Sequence, residues 1–260
     1  MGFAPAKVNL TLHVTGRRAD GYHLLDSLVA FADVGDRLRV APGEGLTVTG
    51  PFAAGVPTGA ENLVNRALRL AGETRAVTLD KQLPHPAGIG GGSSDAAAVL
   101  RLVGADLPVG ALMSLGADVP VCMGARAARM TGVGEGVTPV DLPALHGVLV
   151  NSGVAVPTPA VFAALRRFGE GHGTLPDWAD AAVLTDWLAA QRNDLEAAAM
   201  GIAPQIGEVL SDLRAAGASL TRMSGSGGTC FGLWPSRDRA EAAAAALSRP
   251  GRWVRACSFS

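Results

Sequence analysis

The segment Pro84-His85-Pro86-Ala87-Gly88-Ile89-Gly90-Gly91-Gly92-Ser93-Ser94-Asp95 runs straight into an alanine-rich helical pattern. Glycine carries no Cβ, so the backbone there can turn sharply and lie close to a ligand. A helix starting behind the loop offers unpaired N–H groups and the positive end of its dipole. Such a junction suits an anion, phosphate above all. The loop lacks the Gly-Lys-Ser/Thr ending of a Walker A sequence. It does not fit the protein-kinase loop either, because Ser93 stands where the last glycine belongs. A bare structural turn is the competing reading. The paired hydroxyls of Ser93 and Ser94 favour a ligand, since they can bind phosphate oxygens or a magnesium ion as well as cap the helix.

At 260 residues the chain suits one large domain or two small ones. A hydrophobic share of 48% against 17% charged describes a globular chain rather than a disordered one. A formal net charge of −1 supplies no basic field for nucleic acid. No apolar run reaches the length of a bilayer, and the start lacks a signal-peptide pattern. The expectation is a cytoplasmic protein without nucleic-acid or membrane partners, monomeric or a weak homodimer. Cys122, Cys230 and Cys257 make neither a disulfide framework nor a zinc pattern and read as buried thiols. His13, His85, His146 and His172 lack metal-ligand spacing, so no zinc is assigned. Of 22 basic residues only Lys7 and Lys81 are lysine. A site needing a compact ammonium rather than a planar fork would account for that.

The N-terminal third reads as β-rich. Residues 7–14 alternate, with Val8, Leu10, Leu12 and Val14 on one face and Lys7, Asn9, Thr11 and His13 on the other, as a strand forming a cleft wall would. Strands are expected over 27–32 and 37–40 around a turn at Val34-Gly35-Asp36, and over 46–48, 76–83 and 127–131. Helices are expected over 62–71 and 109–115, with another opening at Ser93 or Ser94 and carrying Asp95 in its first turn. In the second half, strands over 147–151, 221–223, 229–234 and 253–258 mix with helices. These start at Thr158-Pro159 and cover 177–190, 194–200, 205–216 and 237–247. Mixed strands and helices without strict alternation point to an α+β fold in two lobes, residues 1–147 and 148–260.

Other candidates stand outside the first glycine loop. Ser224-Gly225-Ser226-Gly227-Gly228 reads as a hairpin turn or as open backbone for a ligand. Asp118 is a lone acid among apolar residues, either an N-cap for a short helix or a carboxylate able to accept a hydroxyl proton. Tyr22 and His23 are adjacent rings at a loop end that could hold a flat base, and Phe162 reads as core.

Three segments in this order resemble the GHMP kinase superfamily, the small-molecule kinases named after galactose, homoserine, mevalonate and phosphomevalonate. They are the Ala6-Lys7 strand, the Gly90-Gly91-Gly92-Ser93-Ser94-Asp95-Ala96-Ala97 loop and the Gly225-Ser226-Gly227-Gly228 turn. Finer segments resemble its branch acting on a cytidylylated methylerythritol: Pro5-Ala6-Lys7-Val8-Asn9-Leu10, Arg18-Ala19-Asp20-Gly21-Tyr22-His23, Gly116-Ala117-Asp118-Val119-Pro120, Pro157-Thr158-Pro159 and Asn193-Asp194-Leu195-Glu196. The resemblance implies an N-terminal lobe like ribosomal S5 domain 2, a C-terminal ferredoxin-like α/β plait, and a cleft between them where substrate and ATP meet. It implies Asp118 as catalytic carboxylate with Lys7 beside it, and residues Pro84 to Ser94 around the ATP phosphates. Tyr22, His23 and Phe162 would surround the cytosine, with Asn9 and Thr158 nearby. Gly225, Ser226 and Gly227 would close the cleft from the second lobe. ATP and Mg²⁺ are the implied cofactors, and a small cytidylylated alcohol is the implied partner. The implied reaction is phosphorylation of its 2-hydroxyl in the methylerythritol phosphate route. His85-Pro86 departs from the usual start of the loop, and the linker over 168–176 is short.

In that chemistry Asp118 would take the proton of the tertiary hydroxyl as it attacks the γ-phosphorus, and Lys7 would stabilise the developing negative oxygen. Backbone N–H groups of Gly90, Gly91 and Gly92 would hold the phosphates, with Ser93 or Ser94 nearest Mg²⁺. The rivals are a kinase of the homoserine or mevalonate type and a nucleotide-binding protein without chemistry. The presence of both Lys7 and Asp118 argues against the second.

Overall fold

Strand β3 (His23–Ala41) is the spine of the computed structural model, which describes residues 1–259. The expected turn at Val34-Gly35-Asp36 does not exist: one strand of 19 residues passes straight through it. Gly35 is needed for a different reason. It lies opposite Pro5 of β1 (Gly2–Asn9), and a Cβ there would sit 2.3 Å from the Ala4 carbonyl oxygen. The glycine marks a close approach of two backbones, which a sequence cannot distinguish from a bend.

Strand β3 also pairs antiparallel with β2 (His13–Arg17), β5 (Ala76–Asp80) and β6 (Ala128–Gly132). Strand β4 (Gly45–Thr49) joins β5 in parallel, and β7 (Gly136–Pro139), which periodicity did not reveal, pairs with β6. The strand expected over 7–14 is broken in the middle. The N–H groups of Leu10 and Thr11 both donate to the Leu28 carbonyl, at 2.8 and 3.2 Å, so the chain shifts register there as at a bulge. Its polar face therefore does not form one wall. Lys7 and Asn9 line the cleft described below, while Thr11 and His13 are enclosed.

Helices α1 (Leu63–Leu70), α2 (Gly91–Val103), α3 (Val109–Leu115) and α4 (Val119–Gly124) cover this sheet. The Asn62 side chain caps α1 by accepting from the Val64 N–H. Helix α2 buries Ala96, Ala97, Ala98, Val99 and Leu100, and its small residues let it pack closely against β1.

The second half builds an antiparallel sheet from β8 (Leu145–Asn151), β9 (Leu220–Met223), β10 (Thr229–Trp234) and β11 (Trp253–Phe259), in spatial order β11-β8-β10-β9. It meets the first sheet where Phe259 pairs with Ala32. Helices α5 (Thr158–Ala164), α6 (Ala181–Ala189), α7 (Glu196–Ile202), α8 (Gln205–Ala215) and α9 (Arg237–Leu247) complete it. Helix α6 starts later than its apolar pattern suggests, because Asp180 accepts from the N–H groups of Ala182 and Val183 and sets the start. One apolar cluster, including Leu10, Leu28, Leu184, Phe231 and Phe259, draws on both halves of the chain. Among the described residues no helix is long and apolar enough to cross a membrane. The three cysteines are free and buried, and burial pushes each thiol up.

His13 and His172 stack behind the break in β1–β2, ring centroids 4.0 Å apart. Burial first, and then the neighbouring His172, pulls His13 down to about 4. Burial likewise lowers His172, whose Nδ1 lies 2.9 Å from Asp26 Oδ1, off the direction of a good hydrogen bond. Neither ring nitrogen of His13 has a partner among the described residues. The folded state thus prefers His13 neutral, while the unfolded chain protonates it near its ordinary value. Unfolding takes up a proton below about pH 6.5, so stability is lost as pH falls toward the lowered value. His13→Phe keeps the ring and removes the titration. Between pH 7 and pH 5, wild type should lose roughly 1–2 kcal/mol relative to that variant in urea unfolding. Parallel pH profiles for the two proteins would show that His13 is not held neutral.

Candidate active site

Lys7 on β1 is anchored twice. Its N–H donates to the Ile89 carbonyl at 3.0 Å, tying the strand to the glycine loop. Its Nζ donates to Asn9 Oδ1 at 2.8 Å and lies 3.1 Å from Asp118 Oδ2. The lysine side chain is 4% exposed and the aspartate 30%, so the pair sits at the floor of an opening. Asp118 stands just before α4, yet its side chain makes no capping bond and turns to Lys7 instead. Of its two sequence readings, the helix cap is the one the geometry removes. A Cβ at Gly90 would lie 3.2 Å from Lys7 Cβ and Cε, so the loop must be bare where the lysine passes.

The helix behind the loop is not capped by serine. It begins at Gly91, and Gly90, at φ +63, makes the left-handed step into it. Ser94 is buried and donates to the Pro5 carbonyl at 2.8 Å, so its hydroxyl is turned away from the opening. Ser93 does face it. Asp95 is not a first-turn charge. It lies buried with Asp36 against Lys81, whose Nζ is 2.8 Å from Asp95 Oδ2 and also bonds Asp36 Oδ2. Burial pushes Asp95 up to about 7. Burial would lower Lys81, but Asp95 and Asp36 hold it above its ordinary value. Asp36 Oδ1 accepts from the N–H groups of Gln82 and Leu83 at 2.6 and 2.8 Å, which fixes the approach to the loop. Pro84, Ala87 and Ile89 point into the core, while His85 and Pro86 are exposed. His85 Nε2 lies 3.0 Å from the Phe52 carbonyl oxygen, away from the opening. Of the eleven loop candidates, Gly88, Gly90 and Ser93 line the cleft. Gly91 and Gly92 form the helix start, whose N–H groups have no intrahelical acceptor.

The second glycine turn, between β9 and β10, is both a hairpin turn and part of the cleft. A Cβ on Gly225 (φ +56) would come 2.7 Å from the Gly88 carbonyl oxygen, and one on Gly88 (φ +68) 2.5 Å from that of Gly227. Ser224 joins the parts. Its Oγ accepts from the Asn9 N–H at 3.1 Å and donates to the Gly88 carbonyl at 2.9 Å. Asn193 holds the turn from behind, donating to the Met223 and Gly225 carbonyls at 2.8 and 2.9 Å. Gly225 and Ser226 line the cleft, and Ser226 Oγ lies 2.7 Å from Thr158 Oγ1. Gly227 does not line it: its bare side faces Met223 Sδ and Ile206 in the core.

The cleft encloses about 870 Å³ and runs from Lys7 and Asp118 to an aromatic end. There His23 lies 4.8 Å from Phe162, tilted by 32°, and 5.9 Å edge-on from Phe168. Tyr22, 62% exposed, forms the outer rim. Burial, and then Arg17, lowers His23, leaving it neutral near pH 7. Phe162 is thus both packed on the core and part of the cleft. Sequence reasoning gave no role to Phe168 or Arg17, and quoted Ser224 and Asn193 only as the first residues of longer segments. Arg17 flanks a quoted motif, Phe168 opens the linker over 168–176, and Ser224 opens the glycine turn; each carried a local hint, but only the fold shows what it faces.

The family described as GHMP kinases C terminal matches residues 161–252. A 4-diphosphocytidyl-2-C-methyl-D-erythritol kinase of Dinoroseobacter shibae is 56% identical, over 97% of this chain and 92% of that protein. One of Paracoccus denitrificans is 54% identical, over 99% of this chain and 96% of that one. The crystal structure of a 4-(cytidine 5'-diphospho)-2C-methyl-D-erythritol kinase superposes with a TM-score of 0.80 at 40% identity, covering 100% of this chain and 99% of that one. A crystal structure of L. major mevalonate kinase shares the fold alone, with a TM-score of 0.61 at 16% identity over 99% of this chain and 95% of that one. With an α+β GHMP kinase fold, the lysine–aspartate pair beneath the glycine loop and relatives matched end to end, the chain belongs to the 4-diphosphocytidyl-2-C-methyl-D-erythritol kinase family.

Proposed function

We propose that this cleft transfers the γ-phosphoryl group of ATP to the 2-hydroxyl of 4-diphosphocytidyl-2-C-methyl-D-erythritol, giving the 2-phosphate and ADP, in the methylerythritol phosphate route to isoprenoid precursors. The carrying observation is the 3.1 Å contact between Lys7 and Asp118 in the cleft onto which Gly88, Gly90 and Ser93 open. Phosphoryl transfer asks a protein mainly to position reactants and neutralise charge. The bare backbone of Gly90, Gly91 and Gly92 receives the phosphates at the start of α2. Asp118 has one oxygen engaged by Lys7; the other takes the proton of the attacking hydroxyl. Two of the three Lys7 N–H groups are used by Asn9 and Asp118, and the third meets the negative charge that develops on the transferring oxygens.

Among the described residues, no three His, Cys, Asp or Glu side chains converge on a metal position. The cleft does present hard oxygens in Ser93 and Asp118. That donor set fits Mg²⁺ held chiefly by nucleotide phosphates and water, with Ser93 as the protein contact. Bound there, the ion would neutralise phosphate charge.

The aromatic end separates this reading from a homoserine or mevalonate kinase. The neutral His23, Phe162 and Tyr22 offer ring faces to a flat base, which a small acid alcohol lacks. Asp118→Asn should lower kcat by about 10² to 10⁴. Lys7→Arg should also lose most activity, because the larger fork does not fit beside Gly90. Phe162→Ala should raise KM for the cytidylylated alcohol about tenfold and leave KM for ATP unchanged. Steady-state kinetics with both substrates varied checks all three. Near-wild-type turnover by Asp118→Asn removes the base assignment, and equal turnover of a non-nucleotide alcohol removes the substrate.

A further inference from the structure

We propose that Ser27 is a positioning residue of the phosphoryl-transfer centre, acting through the one direction in which its hydroxyl proton points. The inference rests on the role of Lys7 given above. Ser27 lies on β3, wholly buried, and is not part of the cleft wall. Its Oγ bonds the Thr11 carbonyl oxygen at 2.5 Å. A carbonyl has no proton, so Ser27 is the donor, and its only proton is spent there. Towards Asn9, 2.8 Å away, the same oxygen can only accept.

That constraint decides which way the Asn9 carboxamide faces. Its Nδ2 must turn to Ser27, which leaves Oδ1 facing Lys7 Nζ at 2.8 Å. An ammonium donates and never accepts, so this is the one orientation that satisfies all three side chains. A flipped amide would set N–H against N–H at Lys7 and oxygen against oxygen at Ser27. Lys7 would then move off the line that holds it 3.1 Å from Asp118. The Asn9 backbone does not depend on Ser27, because its N–H is held by Ser224 Oγ at 3.1 Å from the other side. Removing the Ser27 hydroxyl therefore frees the carboxamide without freeing the strand. The Thr11 carbonyl is held in turn: Thr11 Oγ1 accepts from the Leu28 N–H at 2.9 Å and lies 2.6 Å from His172 Nε2.

The test is a double-mutant cycle on the full chain with ATP and the cytidylylated alcohol. Ser27→Ala should lower kcat about tenfold to a hundredfold, the scale of a small misplacement of a reacting group, with both KM values within about twofold of wild type. Asn9→Asp presents oxygen to Lys7 in either orientation and already sets oxygen against oxygen at Ser27, so in that background Ser27→Ala should cost less than about twofold or restore part of the loss. Ser27→Thr keeps the hydroxyl and should retain kcat within about threefold of wild type. Three results overturn the proposal: unchanged kcat in Ser27→Ala, an equal loss in the Asn9→Asp background, or a loss in Ser27→Thr as large as in Ser27→Ala. If Ser27→Ala does not fold, Ser27→Cys, which keeps the volume but is a weak donor and a weak acceptor, takes its place in the cycle with the same expected and overturning results. Absence of phosphoryl transfer by the wild-type protein would instead remove the functional reading on which the inference stands.

Discussion

Where Gly88 meets Gly225 there is no room for a side chain between two backbones, and a Cβ on either would fall within 2.7 Å of a carbonyl oxygen. The contact joins residues far apart in sequence, one before α2 and one between β9 and β10. The Ser224 hydroxyl bridges it, holding the Asn9 N–H on one side and the Gly88 carbonyl on the other. Three parts of the cleft are thereby placed at once: the strand carrying Lys7, the cradle at the start of α2, and the turn presenting Ser226. Loosening any one would move the others, because each is the others' hydrogen-bond partner.

The two lysines divide the electrostatic work. Lys81 lies close under the cradle, where a Cβ on Gly91 would be 3.2 Å from its Nζ. Its charge is answered by Asp36 and Asp95, both buried with it. A buried ammonium matched by two carboxylates contributes geometry more than net field, and its removal would leave uncompensated charge. The positive potential offered to an anion therefore comes from backbone N–H groups at the helix start and from Lys7. Lys7 has one carboxylate partner and opens to the cleft. An arginine-rich chain keeps ammonium groups at these two places because both are tight, one beside Gly90 and one beneath Gly91.

Much of this was legible because it is local chemistry. The helix expected over 62–71, the strands flanking the second glycine turn and the α+β mixture follow from periodicity and turn residues, and the Lys7–Asp118 pairing followed from family resemblance. What stayed hidden depends on which way a small residue faces. Gly35 looked like a turn and is a close strand crossing. Ser93 and Ser94 look alike in sequence, yet one faces the cleft and the other the Pro5 carbonyl. Gly227 belongs to the same turn as Gly225 and faces the opposite way, toward Met223. The alternation of residues 7–14 was real, but two donors sharing the Leu28 carbonyl broke it and turned Thr11 and His13 inward. Single-residue rotations of this kind leave no trace in composition or period.

The short linker after α5 shows how the inward turn matters to the cleft. The Gly169 N–H donates to the Val14 carbonyl at 3.0 Å, and the His172 N–H to Asp26 Oδ2 at 2.8 Å. A Cβ on Gly171 would lie 2.3 Å from that same carboxylate oxygen, so the linker must be bare to lie so close. Burial alone would raise Asp26, but hydrogen bonds from Arg129 and His172 hold it below the usual carboxylate range. The carboxylate thus remains charged and keeps gripping the linker through ordinary pH. Because the linker is gripped at 169 and 172, Phe168 is delivered edge-on to His23. The His13–His172 stack, which adjoins the linker at 172, is accordingly part of what holds the aromatic end in place. A linker too short to wander completes the wall at the opposite end from Lys7 and Asp118.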